Sequence, residues 1–248
     1  MTTIVTTTSP ATGKTLLQII NSVARRMGLP TTAVVVSSTD EAILQFLEFA
    51  QEEGSESARR TNWSALTTEA SFTTSASENQ GLVNTIAPYL RFIINDTIYN
   101  RSLRRPVFGP LGPQSWQQKK AMFIAGPWNQ FRIVGPYLKF IPVPTAGESC
   151  YFEYVTNAWC VDTTGLIPKS EFTADSDVPV LEPELFILGI IWRWRQVKGL
   201  DFTADYEKYE RLLRDAVARD GSKATLSMQG ETDDIGLGIF IPAGSWPV

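Results

Sequence analysis

The chain has 248 residues, enough for one large or two small domains with a real core, and its apolar and charged fractions are those of a soluble globular protein. A net charge of −4 argues against a protein whose main work is gripping phosphates, and two cysteines, Cys150 and Cys160, are too few for a disulfide framework and read as reduced thiols. Histidine is absent, which removes the commonest general acid–base and the commonest transition-metal ligand and points away from catalysis.

Residues 1–11 form a Thr-rich leader with only Ile4 and Val5 to bury and no secretory-signal pattern. A first helix is predicted over about residues 14–27, with Leu16, Ile20, Val23 and Met27 on one face and Gly28 and Pro30 as terminators. Gly13-Lys14-Thr15 at its start has the look of a phosphate-binding loop, but the first glycine of that pattern is replaced by Thr8. No buried strand leads into it, so helix capping is the preferred reading over a nucleotide hydrolase built on Lys14. A second helix begins at Ser38 with Glu41 three residues on, a capping-box spacing, and shows Ile43, Phe46, Leu47 and Ala50 on one face. It continues past Gly54 toward Arg60, at about 1 kcal/mol for the glycine.

After Trp63 the periodicity changes to that of strands, punctuated by proline, glycine and asparagine, as far as Val161. Hairpins are expected from residues 90–94 and 97–100 over Asn95-Asp96, and from residues 131–134 and 137–141 around Gly135-Pro136. Cys150, Phe152 and Tyr154 alternate with Tyr151, Glu153 and Val155 as in a half-buried strand. One short helix over residues 114–123 interrupts this region. Both cysteines are expected as buried or half-buried strand thiols. Asp175, Asp177, Asp233 and Asp234 lack the spacing of a calcium loop. No metal or cofactor is expected. The basic pairs Arg25-Arg26, Arg59-Arg60, Arg104-Arg105 and Lys119-Lys120 read as solvated charge or subunit salt bridges.

Residues 162–179 are expected to be a polar connector. The segment 182–199 then reads as a helix, with Pro183 in the first turn beside Glu182 and Glu184, and Lys198 and Gly199 as stop signals. Its nine large apolar side chains (Leu185, Phe186, Ile187, Leu188, Ile190, Ile191, Trp192, Trp194 and Val197) run most of the way round, so it is a buried helix. Arg193 and Arg195 make it too short an apolar run to cross a membrane. Three amphipathic partners rarely cover such a helix, and the expected remedy is a neighbouring subunit, with Trp192, Trp194 and Arg195 in bundle and inter-subunit packing. A last helix starts near Thr203 and turns Tyr206, Tyr209, Leu213, Ala216 and Val217 inward before Gly221. The tail over residues 222–248 ends with Phe240, Ile241 and Trp246, which need a home either back on the same subunit or, the preferred reading, as the anchors of an arm on a partner protein.

The predicted fold class is α+β: a four-helix bundle of two N-terminal and two C-terminal helices, an inserted β-rich module of sandwich or barrel type, and an extended C-terminal arm. The expected units are residues 1–63 (leader and first two bundle helices), 64–165 (inserted module), 166–221 (connector and last two helices) and 222–248 (arm).

Several segments in their order carry a resemblance. They are Ala58-Arg59-Arg60-Thr61-Asn62-Trp63 with Leu66 and Phe72; Asn100-Arg101-Ser102 with Arg104-Arg105-Pro106; Gly109-Pro110-Leu111 ahead of Gln114 and Trp116; Phe152-Glu153-Tyr154; and residues 189–195 followed by Lys198-Gly199-Leu200-Asp201. From about residue 16 to residue 223 the chain resembles the head–tail adaptor (connector) proteins of tailed bacteriophages, and is similar in layout to the tubular adaptor of short-tailed phages. The resemblance implies a virion protein made in the host cytoplasm, with no catalytic or cofactor-binding residues and no membrane. It implies a homo-oligomeric ring, usually of twelve copies, docked on the portal, joined to downstream tail, nozzle or fibre proteins, and passing double-stranded DNA through its channel. The alternative weighed against it is a carbohydrate- or receptor-binding tail protein that uses Trp116, Trp128 and Trp159 of the β-rich insert.

Overall fold

The computed structural model describes residues 13–122, 126 and 128–220. The described residues form an α+β fold with helices α1 (Leu16–Met27), α2 (Glu41–Arg60), α3 (Val83–Ile86), α4 (Pro113–Met122), α5 (Pro183–Val197) and α6 (Thr203–Asp220). The strands are β1 (Thr67–Thr73), β2 (Asn79–Leu82), β3 (Leu90–Ile93), β4 (Tyr99–Asn100), β5 (Arg105–Pro106), β6 (Gln130–Val134), β7 (Tyr137–Ile141), β8 (Ser149–Thr156), β9 (Cys160–Val161), β10 (Pro168–Lys169) and β11 (Val178–Pro179).

Thr15 caps α1 in a capping box, its hydroxyl accepting the Gln18 N–H while Gln18 Oε1 accepts the Thr15 N–H at 3.2 Å. Gly13-Lys14-Thr15 is thereby used as a helix start. The cap of α2 is Asp40 rather than Ser38. Asp40 Oδ1 accepts the Ala42 N–H at 2.9 Å, and the Ser38 hydroxyl accepts the N–H of Asp40 itself one step upstream. The helix runs unbroken through Gly54, and the reason for the glycine is steric: a Cβ there would lie 2.5 Å from the Trp159 ring.

Strand β8 organises the sheets. β1 pairs with it antiparallel along its whole length, while β3 and β4 lie end to end along its other edge, β3 opposite Tyr154 to Thr156 and β4 opposite Cys150 and Tyr151. The hairpin expected over Asn95-Asp96 is therefore not formed. Asp96 takes a φ of 62° and Thr97 Oγ1 bonds the Ile94 carbonyl, so the chain kinks and continues in the same direction. The second expected hairpin is present, β6 and β7 pairing across Gly135-Pro136 with Val134 opposite Tyr137. Together with β2 they make a second sheet, which shares one apolar cluster with the first through Phe72, Phe140 and Phe152.

The alternation read in β8 is seen with a division of labour. Cys150, Phe152 and Tyr154 enter the cluster between the sheets, whereas Val155 points into the helical core. The stretch expected as a polar connector carries more structure than its composition suggests. β9, β10 and β11 form a third small sheet, and Asp177, 1 % exposed, accepts the N–H groups of Thr173 and Ala174 and an ion pair from Lys169 at 2.6 Å.

The largest departure concerns α5. Leu185 to Ile191 are all buried within this one chain, so the helix does not depend on a neighbouring subunit for its cover. Helices α1, α2 and α6 supply three sides, and the fourth comes from the end of the strand region and the connector: Phe186 meets Trp159 at 5.8 Å and the connector's Phe172 at 5.9 Å. An aromatic plate held by a polar-looking segment does not register in a count of amphipathic helices. Only the last turns of α5 leave the core, with Trp192 and Trp194 half-buried and Val197 exposed.

Candidate functional site

The C-terminal end of α5 and the turn into α6 gather the apolar surface that the core leaves over. Gly199 sits at a left-handed φ of 70°. Its N–H bonds the Gln196 carbonyl at 3.1 Å and the Leu200 N–H bonds that of Arg195 at 2.9 Å, which closes the helix in a Schellman turn. Asp201 Oδ1 then accepts the Thr203 N–H at 3.0 Å and starts α6. This tight corner exposes Val197 and Leu200 (64 % and 50 %) with Tyr206 alongside. Tyr206, expected to face inward, lies at the rim because Trp192 occupies the space between α5 and α6. The Trp192 ring stands 5.3 Å from Tyr206 and 6.2 Å from Tyr209.

Trp194 turns the other way, against Phe46 of α2 at 6.1 Å, with Lys198 Nζ 5.7 Å from its ring centre. Neither indole N–H has an acceptor among the described residues, so both rings act as apolar plates. Arg195 reaches across the corner to Asp205. Trp192, Trp194 and Arg195 all lie in the last two turns of α5, with the two tryptophans on different faces. Phe240, Ile241 and Trp246 lie outside the described residues.

Behind this corner is a polar network that the sequence reading missed. Glu53 of α2, fully buried, pairs with Arg193 Nη1 and accepts the Tyr209 hydroxyl at 2.9 Å. Arg193 Nη2 holds Glu56 Oε2 at 2.6 Å, and its guanidinium covers the Trp192 ring at 4.5 Å. Burial pushes the Glu53 carboxyl up to about 7, outweighing the lowering by Arg193 and Tyr209. The Tyr209 hydroxyl is raised by the same burial and by Glu53. Space for the pair comes from Gly189, where a Cβ would collide with the Glu53 carboxylate. The available signals were two glycines inside helices and a charged residue on each of two apolar faces.

The other candidates settle into structural roles. Cys150 and Cys160 are buried and free, and burial drives both thiols up to about 12. Asp175 accepts the Val35 and Val36 N–H groups, and no acidic or cysteine cluster among the described residues could hold a metal. Trp116 and Trp159, offered for sugar stacking, are each 2 % exposed and have no free face, and Trp159 belongs to the helical core. Of the three only Trp128 is half-buried, packed on Phe108 at 6.0 Å. No described helix is long and apolar enough to cross a membrane.

A family model described as SU10 adaptor protein matches residues 14–232 of the chain. No curated protein matches it.

Proposed function

We propose, from the premise that the chain belongs to the SU10 adaptor family and is a bacteriophage head–tail adaptor, that its copies close into a ring beneath the portal. In this reading the four long helices α1, α2, α5 and α6 form a bundle that packs side by side with its neighbours. The inserted module of residues 64–165 projects from the bundle, and the segment 222–248 is an arm that reaches the portal through Phe240, Ile241 and Trp246. The ring, of about twelve copies as the resemblance implies, joins the portal to tail or nozzle proteins and lines the path by which DNA leaves the head.

The observation that carries the ring is the apolar corner. Val197 and Leu200 sit exposed at the turn with Tyr206 of α6 alongside, and Trp192 packs behind Tyr206. A compact aromatic-backed patch with a basic and acidic rim, here Arg195, Lys198 and Asp205, has the make-up of a protein interface. The net charge of −4 suits a wall along which phosphates slide without being held. The role is mechanical, and no residue is assigned to catalysis.

Deleting residues 222–248 tests the arm. The truncated chain is expected to keep its circular dichroism and melting temperature and to stop co-sedimenting with portal particles. Undiminished binding to portals would remove the arm from the account.

A further inference from the structure

The turn over residues 101–104 joins β4 to β5 and is fixed from beneath by two polar side chains that the fold buries. Asn100, 2 % exposed, accepts the Leu103 N–H at 3.0 Å and donates to Glu148 Oε2 at 2.6 Å. The Arg101 N–H bonds the Ser149 carbonyl and the Ser102 hydroxyl accepts the Ser149 N–H, both at 2.9 Å, so the turn is pinned to β8. Arg104 takes a φ of 54°, a left-handed conformation uncommon for a residue with a long side chain. What results is a rigid projection. Leu103 is exposed at its tip, Arg104 has no ion pair among the described residues, and Arg101 beside it pairs with Glu69 over the Tyr151 ring.

We propose that this turn docks on α2 of a second copy, a pairing that rests on the ring reading above. The face of α2 opposite Ile43, Phe46 and Ala50 carries Glu41, Glu48 and Glu52. At 1.5 Å per residue these carboxylates form a line with spacings of about 10 and 6 Å. Glu41 and Glu48 have no ion pair among the described residues, and Glu52 has only Arg193 Nε at 3.6 Å. The outward face of α6 differs, since Glu207, Arg211 and Asp215 alternate in sign there. On α2, Glu41, Glu48 and Glu52 make a run of one sign that Arg59 ends seven residues further along the same face, and it is this acidic run that calls for an external cation.

Leu103 favours a protein over a nucleic acid as the occupant. An apolar tip gains from burial against side-chain stems and gains nothing from a phosphate backbone. A turn on one copy meeting a helix on the next is a heterologous contact, the kind that closes into a ring.

The test is a charge swap in the full chain, with association followed by sedimentation alone and on purified portal. Arg104→Glu and Glu48→Arg should each weaken subunit association about tenfold. The double variant should recover most of it, with melting temperatures unchanged throughout. Both single variants associating at wild-type strength would overturn the pairing, as would a double variant no better than the singles. Intact rings that lose retention on double-stranded DNA would assign the turn to phosphates instead. A wild-type chain that stays monomeric even on the portal would overturn the ring reading and the pairing with it.

Discussion

Glu53 is a carboxyl whose ordinary value near 4.5 is raised to about 7 by burial, while Arg193 and Tyr209 pull the other way. The folded state therefore binds its proton more tightly than the unfolded chain does, and stability slopes downward as pH rises from about 4.5 to about 7. Denaturant unfolding across this range should show that slope in the wild type and lose it in Glu53→Gln. An unchanged slope in the variant would assign the dependence elsewhere. Asp177 does not interfere in this window. Burial opposes its ionisation, but Lys169 and two backbone N–H groups hold it below its ordinary value, so it acts only at lower pH. Gly54 offers a second test at this scale. Glycine to alanine inside a helix normally stabilises by about 1 kcal/mol. Here the new methyl meets the Trp159 ring, and Gly54→Ala should instead destabilise by roughly 1–3 kcal/mol, read from the shift in denaturant midpoint.

At the scale of elements, α5 shows both what the sequence revealed and where its pattern ran out. Its start at Pro183, its stop at Gly199 and its burial were legible because each rests on local chemistry: a first-turn proline, a left-handed glycine and apolar residues most of the way round. Its cover was not legible. Trp159 and Phe172 lie in segments read as strand end and connector, and only the tertiary fold turns them onto Phe186. The same distinction separates the two predicted hairpins. Gly135-Pro136 encodes its turn locally, whereas the kink at Asn95-Asp96 depends on whether β8 is present to accept both β3 and β4 along one edge. Since α5 needs no neighbour for its core, only its exposed last turn is available for association. Val197→Lys with Leu200→Lys should then leave the melting temperature within a few degrees, because both side chains are at least half exposed and a cation suits the C-terminal end of α5, while abolishing subunit association on the portal. Association at wild-type strength would mean that the corner is not an interface.

For the whole molecule, the family and the coarse α+β class were within reach of the sequence, because short segments in a fixed order carry the likeness over most of the chain. The buried Glu53–Arg193–Tyr209 network was not, because its members lie on three helices and meet only after folding. That network gives the helices a fixed mutual arrangement, and a rigid subunit is what a mechanical joint requires. The central claim is that this subunit acts as a ring-forming link between portal and tail. Its most direct test is electron microscopy of the full-length protein mixed with its portal. The account predicts a closed ring of copies on the tail-side face of the portal, with the Val197 and Leu200 corner buried between neighbours. Bare portals beside dispersed single subunits, at concentrations where the protein remains folded, would contradict it.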